Sequence, residues 1–466
     1  MRFVAKYSPQ YFNPSRRRPP LMANQRDINR WKKGKDHWNK WAESRLRAKE
    51  KIEKSGSWHF DERGNALNPT VERWIESATV DFSAHTFERP ADFYGLIFPW
   101  KVNFSNSTFH EIANFGGAQF MAGAYYGETF FRRETSFDGA TFSEEVFFSG
   151  SHFEDVVSFD SASFFRRAHF NAVKFSDKVV FNNCRFLGTA DFVSATFASE
   201  AIFEGTRFSN VAEFNSASFL KDAIFRRVEF IRSLSLENTT FASPPDLEGT
   251  TIPRGSDLES VRFQTIPLVR ILTAARLRTI FPQMLRFFRL AAGIAENKKE
   301  EEKWRSIRQK ARKVLDHDLE QTAFAAELKS KRYWKWPGWR LDLYAASYFY
   351  GIFSDFGRSL FRPIFGWTIF VLSFAAYYGV QAADGYRSCD WKSSRLLPEL
   401  YLSFLHSLPI VGFGRGEKRE LALKCLFGSS ADVTPAMDML FIGQNIFSAV
   451  FVFLFLLAVR NHFRIK

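Results

Sequence analysis

Phenylalanine recurs along this chain at alternating intervals of five and six residues, a period that neither an α-helix nor a single β-strand produces. Between residues 137 and 175 the successive intervals are 5, 6, 5, 6, 5, 6 and 5. Two ladders of period eleven, one from Phe82 and one from Phe87, extend this register to Leu258 and Phe263 without an insertion. All 34 rungs are apolar or aromatic, and 29 of them are phenylalanine. A fixed short period over so many repeats predicts a solenoid.

The residue two positions before each rung is usually small, as at Ala113, Ala118 and Ala140. In an extended segment the residues i−2 and i point to the same side, so one small and one large side chain share the inward face. The residues between rungs are mostly polar or glycine and suit exposed turns. We therefore expect strands of about three residues that coil around a phenylalanine-filled axis. The expected core rungs at its centre are Phe148, Phe153, Phe159, Phe164, Phe170, Phe175, Phe181, Phe186 and Phe192.

The segments ANFGGAQF, ADFVSATF and AEFNSASF resemble the repeats of pentapeptide-repeat proteins, whose unit is A-(D/N)-(L/F)-X-X. The resemblance covers residues 79–265 and is closest to the eleven-residue variant of that family. It implies a right-handed quadrilateral β-helix in which two units of eleven form one coil. The 34 rungs then make between eight and nine coils. Solenoids mostly present surface, so the resemblance specifies the fold much more closely than the function.

Charge is distributed unevenly along the chain. The net charge is +9 for residues 1–78, −8 for residues 79–263 and +13 for residues 264–466. A basic chain can bind nucleic acid, but basic flanks beside apolar segments favour a membrane surface. The first residues lack the apolar run of a secretory signal.

We expect four segments: a basic N-terminal segment with a capping helix (1–78), the β-helix (79–265), an α-helical linker (266–340) and a membrane domain (341–466). The capping helix is expected within residues 22–54, where Trp38, Asn39 and Trp41 resemble the W-N-x-W core that precedes the repeats in this family. The Lys/Glu block at 298–303 is expected to be a solvated helix face.

Two stretches of 21 residues, 363–383 and 439–459, carry no charged residue, and a bilayer core requires about 20. Basic residues precede the first stretch and follow the second, which places both termini in the cytoplasm. The sequence thus predicts a multi-pass protein of the bacterial inner membrane that contacts the lipid bilayer and holds its solenoid in the cytoplasm.

A third apolar stretch, at about 396–414, is shorter and is predicted to be a re-entrant hairpin. The order of long helix, short helix, glycine turn and long helix resembles the two-helix pore unit of potassium channels. The resemblance implies a homotetramer whose filter for potassium or another monovalent ion is formed by Val411, Gly412, Phe413 and Gly414. The chain departs from that pattern at Arg415, where the family has an acidic residue. Four such arginines would oppose cation entry.

Cys389 and Cys425 flank the hairpin on the side predicted to lie outside the cytoplasm, where bacterial compartments are oxidising. We predict a disulfide between them, with two free thiols as the alternative. Cys184 occupies a small inward position of the solenoid and is expected to be a buried, inert thiol.

No zinc-protease motif, Walker loop or paired-cysteine motif occurs, so we expect neither an enzyme nor a cofactor. The favoured function is a membrane-anchored scaffold whose solenoid binds or senses an unknown protein partner. One alternative is an ion channel-like protein whose pore loop is gated by the solenoid. A second is a regulator that mimics nucleic acid on a DNA-binding enzyme. Direct binding of nucleic acid is disfavoured, since the solenoid is acidic.

Overall fold

The computed structural model describes residues 23–61, 66–258, 260–263, 284–314, 316–334, 341–382, 397–408, 417–427 and 435–462. The chain divides into two compact units. The first unit is Met1–Phe288 with Glu302–Ala323, and the second is Arg289–Glu301 with Phe324–Lys466. A β-solenoid of about eight turns, with helices before and after it, confirms the predicted solenoid architecture.

The described part of the solenoid contains 31 short strands in four parallel sheets, here named A to D. Sheet A is formed by Val80–Asp81, Val102–Asn103, Ala124–Tyr125, Val146–Phe147, Ala168–His169, Ala190–Asp191, Val211–Glu213 and Ser233–Ser235. Sheet B is formed by Thr86–Phe87, Thr108–Phe109, Phe130–Phe131, His152–Phe153, Lys174–Phe175, Thr196–Phe197, Ser218–Phe219, Thr240–Phe241 and Arg262–Phe263. Sheet C is formed by Ala91–Asp92, Ala113–Asn114, Thr135–Ser136, Val157–Ser158, Val179–Val180, Ala201–Ile202 and Ala223–Ile224. Sheet D is formed by Ile97–Phe98, Gln119–Phe120, Thr141–Phe142, Ser163–Phe164, Arg185–Phe186, Arg207–Phe208 and Glu229–Phe230.

Each strand pairs in parallel with the corresponding strand of the next coil, as Phe131 pairs with Phe153 and Phe153 with Phe175. Two units of eleven therefore make one coil. Most strands are two residues long rather than the expected three. The strands are this short because each repeat has only five or six residues, and the turn takes three or four of them.

The turn that follows each rung of the first ladder places its third residue in the left-handed backbone region. Seventeen residues spaced by eleven, from Ala84 to Ser260, have φ between 53° and 70°. In most of these turns the carbonyl of the rung accepts a hydrogen bond from the N–H three residues later, as between Phe82 and His85, and this bond together with positive φ at the third residue is typical of a type II turn. Many of these positions are not glycine, and each side chain there costs about 1 kcal/mol or more. The coil geometry therefore overrides local preference at every second turn.

The interior consists of stacked aromatic rings. Phe170 is fully buried, and its ring lies parallel to those of Phe148 and Phe192, one coil away on either side, at 4.9 and 4.8 Å between centroids. The other expected core rungs are likewise at most 1 % exposed. Since such rings repeat at every coil, the stacks fill the axis of the solenoid.

Buried hydroxyl groups in the small inward positions bind backbone carbonyls of the preceding coil. Ser107 donates to the carbonyl of Phe82 and Thr129 to that of Phe104, at 2.7 and 2.8 Å. The thiol of Cys184 makes the same contact with the carbonyl of Phe159 at 2.9 Å. Cys184 is 1 % exposed, and burial raises its pKa well above the ordinary value.

Within residues 23–61 and 66–79, three helices precede the solenoid: α1 (Gln25–Trp31), α2 (Lys35–Lys54) and α3 (Pro69–Ala78). The single helix expected near residues 22–54 is divided in two, because Gly34 has φ of 87°. On α2 the indole N–H of Trp38 donates to the carbonyl of Ile97, and the Asn39 amide bonds the backbone at Ile97 and Gly95. These contacts join α2 to the first coil.

Among the residues that the structure describes between 284 and 334, two helices follow the solenoid: α4 (Met284–Val314) and α5 (His317–Trp334). Within the first unit, Trp304 of α4 packs edge-on against Phe263 at 4.7 Å, and Lys310 donates to the carbonyl of Thr250. Burial lowers the pKa of Lys310. Between these helices and the last coils lies an apolar cavity of about 30 Å³. The cavity occurs where leucine and isoleucine, which are smaller than phenylalanine, take over as rungs.

The second unit contains α6 (Leu341–Ser354), a 3-10 turn (Asp355–Gly357), α7 (Phe361–Gln381), α8 (Pro398–His406), α9 (Glu417–Phe427) and α10 (Pro435–His462). Residues Asp355 and Phe356 in the 3-10 turn both have positive φ, which marks an abrupt change of chain direction before α7. The expectation of a solvated face at 298–303 is wrong for Glu301. Its side chain is almost fully buried, with the Lys331 ammonium 3.6 Å away, because α4 and α5 pack together there.

Candidate functional site: the apolar helices and the solenoid surface

Helices α7 and α10 are long and apolar enough to cross a membrane. The qualifying segments are Phe361–Gln381, of 21 residues, and Pro435–Asn461, of 27 residues. They contain the predicted spans, apart from residues 382 and 383 at the end of the first, and residue 383 lies outside the described residues. Only 28 % of the most apolar window of each helix is buried within the protein. Length and composition alone are weak evidence of membrane association, so the exposure of these helices carries more weight.

The exposed surface of both helices is made of large apolar side chains. On α7, Phe361 and Val380 are 81 % and 82 % exposed. On α10, Met439 is 73 % and Phe453 is 62 % exposed. A contiguous apolar surface of this kind is unfavourable in water and requires a covering medium or partner.

The short helix α8 packs against both long helices through a buried group of polar side chains. Gln444 of α10 is fully buried and lies at the centre of this group. Its amide nitrogen donates to Ser403 and to the hydroxyl of Ser407, at 2.8 to 2.9 Å, and its amide oxygen accepts from the Tyr378 hydroxyl at 2.5 Å. The Ser403 hydroxyl donates in turn to the carbonyl of Val371 on α7. The network therefore connects α7, α8 and α10.

Sequence reasoning missed Gln444. The available signal was the pair Gln444 and Asn445, two amides within an otherwise apolar stretch. Polar side chains within such a stretch usually face the protein interior, where they form hydrogen bonds that serve structure or function. The contact with α8 itself depends on how the helices pack, which the sequence does not reveal.

The candidate filter residues Val411, Gly412, Phe413, Gly414 and Arg415 lie outside the described residues. They follow α8 in the chain, so the network around Gln444 holds the helix that leads into them.

Cys425 lies on α9, is 1 % exposed and is disulfide-bonded. Its predicted partner, Cys389, lies outside the described residues. The pairing of the two stays a prediction.

On the outer surface of sheet A an aromatic row leads to a charged cluster. The rings of Tyr125, Phe147 and His169 stack at 5.1 and 4.5 Å on successive coils. Beyond His169 lies Asp191, which pairs with Arg167 at 2.9 Å. Burial acts to raise the pKa of Asp191, but contacts with His169 and Arg167 outweigh this effect and hold that pKa below its ordinary value. The Asp191 carboxylate is thus paired with side chains of the same chain, so the cluster stabilises the surface of the coil.

Across the described ranges, no group of three or more histidine, cysteine, aspartate or glutamate side chains is arranged to hold a metal ion. His152 and His169 lie on sheets B and A, where they contact Phe130 and Phe147.

Comparison with known proteins agrees with the solenoid. Residues 93–141, 170–218 and 203–251 match the profile of the family of pentapeptide repeats, with nine copies. These segments of the solenoid are therefore similar to pentapeptide repeats. No curated protein and no solved structure matches the chain. The likeness of the C-terminal segment to a potassium-channel pore unit stays a prediction.

Proposed function

We propose that this protein is a membrane-anchored scaffold whose β-solenoid is an interaction surface for another protein. The observation that carries the proposal is the exposure of α7 and α10, since only 28 % of the most apolar window of each is buried. An apolar helix in the core of a soluble protein is mostly buried, whereas a helix in lipid keeps its apolar side chains outward. We infer a multi-pass protein of the bacterial inner membrane with both termini in the cytoplasm.

The solenoid suits a scaffold because its interior is already filled. Ring stacks such as Phe148, Phe170 and Phe192 occupy the axis, which leaves the outer faces of the sheets to meet a partner. In this proposal the solenoid is a right-handed, four-sided β-helix. Helices α1 to α3 cap its first coil and α4 caps its last, so that neither end exposes its aromatic stack. The protein has no catalytic role.

Topology is tested by labelling single thiols in spheroplasts of a bacterial expression host. Glu128 is exposed on a solenoid turn, and Glu128→Cys adds a reactive thiol there. Native Cys184 and Cys425 are buried, and Cys389→Ser in the same chain removes the remaining native thiol, so the native cysteines provide little background. We expect a membrane-impermeant maleimide to label Glu128→Cys only after the spheroplasts are lysed. Labelling of intact spheroplasts at this position would contradict the proposed orientation.

A pore is the second candidate function, and one observation favours it. The short helix α8 lies between two long apolar helices and is held to them by Gln444, as a pore helix would be. The test is potassium flux into liposomes that contain the full chain. If the loop conducts, Gly412→Ala abolishes flux without dispersing the oligomer, and Arg415→Asp raises cation conductance. If the scaffold proposal holds alone, wild type and both variants give no flux above that of empty liposomes.

A further inference from the structure

The acidic charge of the solenoid is concentrated on one side. On each coil, the outward residue of the sheet C strand and the residues two before and two after it point the same way. We call this set the acidic face; it comprises residues 90, 92 and 94 and the equivalent positions of each later coil up to 244, 246 and 248. It holds nine acidic and two basic residues, a net charge of −7, whereas the whole of residues 79–263 carries −8. The acidic members are Asp92, Glu134, Asp138, Asp160, Glu200, Glu204, Asp222, Asp246 and Glu248.

Five apolar residues also lie on the acidic face and are here called the apolar strip: Val180, Ile202 and Ile224 hold the middle position of their coils, and Ile112 and Val156 hold the position two residues before it. Ile112 is 49 % exposed, and Val156, Val180, Ile202 and Ile224 are half-buried. Three of them, Val180, Ile202 and Ile224, stack on successive strands of sheet C. The face therefore combines apolar contact area with carboxylates along its borders.

The chain already places a basic amphipathic helix at the C-terminal end of this face. From Lys303 to Val314, helix α4 carries six basic residues and no acidic one. It buries Trp304 and Ile307, and its Lys303 ammonium lies 3.7 Å from the carboxylate of Asp222. The Lys303–Asp222 ion pair shows that the acidic face accepts a basic side chain at this end, while Trp304 packs against Phe263 at the end of the solenoid.

The rest of the face has carboxylates without ion-pair partners. Among the described residues, Glu134, Asp138 and Asp160 form no salt bridge. Asp138 instead accepts hydrogen bonds from the Ser158 hydroxyl and from the backbone N–H of Asp160, which fix its carboxylate at the surface. These three groups lie on two adjacent coils and form a concentrated negative patch beside the apolar strip.

We propose that the acidic face binds a cationic amphipathic segment of a partner protein, which continues the interface that α4 forms at Asp222. Charge complementarity selects lysine and arginine, and the apolar strip selects a segment with one apolar side. Nucleic acids and anionic lipids have the same sign of charge as the face and are repelled. The inference rests on the proposed scaffold function and names the surface and the partner chemistry.

The test uses the full chain in neutral detergent and a fluorescent peptide of lysine and leucine that forms an amphipathic helix. A peptide with glutamate in place of lysine is the control ligand. The face variant combines Glu134→Gln, Asp138→Asn and Asp160→Asn, which keep the shapes of the side chains. The matched control combines Glu128→Gln, Glu145→Gln and Glu237→Gln, three exposed acids elsewhere on the solenoid. Both variants change the net charge by the same amount.

We expect the lysine peptide to bind wild type, with affinity about tenfold lower for the face variant and changed less than twofold for the control variant. Added salt should weaken the binding, since exposed charges are screened. Equal losses in the two variants would overturn the proposal, because only net charge would then matter. Absence of wild-type binding would overturn it as well.

A change of oligomeric mass in the face variant, measured by light scattering, would identify a second copy as the occupant and refute the partner stated here. Failure of the acidic face to bind the peptide is separate from failure of the membrane anchor. Carbonate extraction of membranes that contain the face variant distinguishes the two, since the three substitutions leave the apolar helices unchanged.

Discussion

Replacement of Phe170 by alanine tests whether the stacked rings hold the solenoid together. The Phe170 ring is fully buried between two parallel rings, and three further rings, those of Phe159, Phe164 and Phe181, meet it edge-on at 5.4 to 5.9 Å. Phe→Ala in a core costs about 3–5 kcal/mol, and a site with five ring neighbours that cannot collapse belongs at the upper end. We therefore expect a loss of about 5 kcal/mol, which corresponds to roughly a 4,000-fold change in an opening equilibrium.

Hydrogen exchange of the full chain in detergent, followed by mass spectrometry, measures this change coil by coil. Because a solenoid coil contacts only its neighbours, the loss of protection should be largest in the coils that contain Phe148, Phe170 and Phe192. Asp177→Ala, on an exposed turn, is the control and should change protection by less than about threefold. Similar effects of Phe170→Ala and Asp177→Ala would refute the assigned register.

Three further predictions concern single positions. Tyr126 replaces phenylalanine in the ladder, and its buried hydroxyl has no hydrogen-bond partner among the described residues. Tyr126→Phe should therefore stabilise the solenoid by about 1 kcal/mol in the same exchange assay. A loss of protection would show that the hydroxyl does have a hydrogen-bond partner. Gly188→Ala should destabilise by about 2 kcal/mol, because its Cβ would lie 2.2 Å from the carbonyl carbon of Arg166 in the preceding coil; unchanged protection would contradict the close approach of these coils. Non-reducing peptide mass spectrometry should find Cys389 joined to Cys425, and two thiols that react with alkylating agents would count against the predicted topology.

The coil register could be predicted from the sequence because one side chain in every five or six must fill the axis. A phenylalanine displaced by one position would point outward, so the ladder defines both the length of the coil and the buried set around Phe170. The length of the strands could not be predicted in this way, since it depends on the turn geometry. Residues such as Glu128 and Arg227, which do not favour positive φ, adopt it because the coil requires it.

The residues of the acidic face can be grouped from the sequence only when the length of one coil, 22 residues, and the outward positions within it are known. Counted along the chain, acidic and basic residues alternate, and arginines such as Arg166 and Arg167 interrupt the runs of negative charge. Sorted by position within the coil, those arginines fall outside the acidic face. The network around Gln444 is different in kind, because it depends on contacts between helices that no periodicity describes.

Carbonate extraction of the full chain and of a truncated chain that ends at Trp334 tests whether α7 and α10 anchor the protein in a membrane. The truncation removes α6 to α10 and keeps the solenoid with α4 and α5. We expect the full chain to stay in the membrane pellet at alkaline pH, and the truncated chain to be recovered in the supernatant with its solenoid amides still protected from exchange. Release of the full chain by carbonate would contradict a membrane anchor formed by α7 and α10. Retention of the truncated chain in the pellet would place the anchor outside α6 to α10 and would equally contradict an anchor formed by α7 and α10.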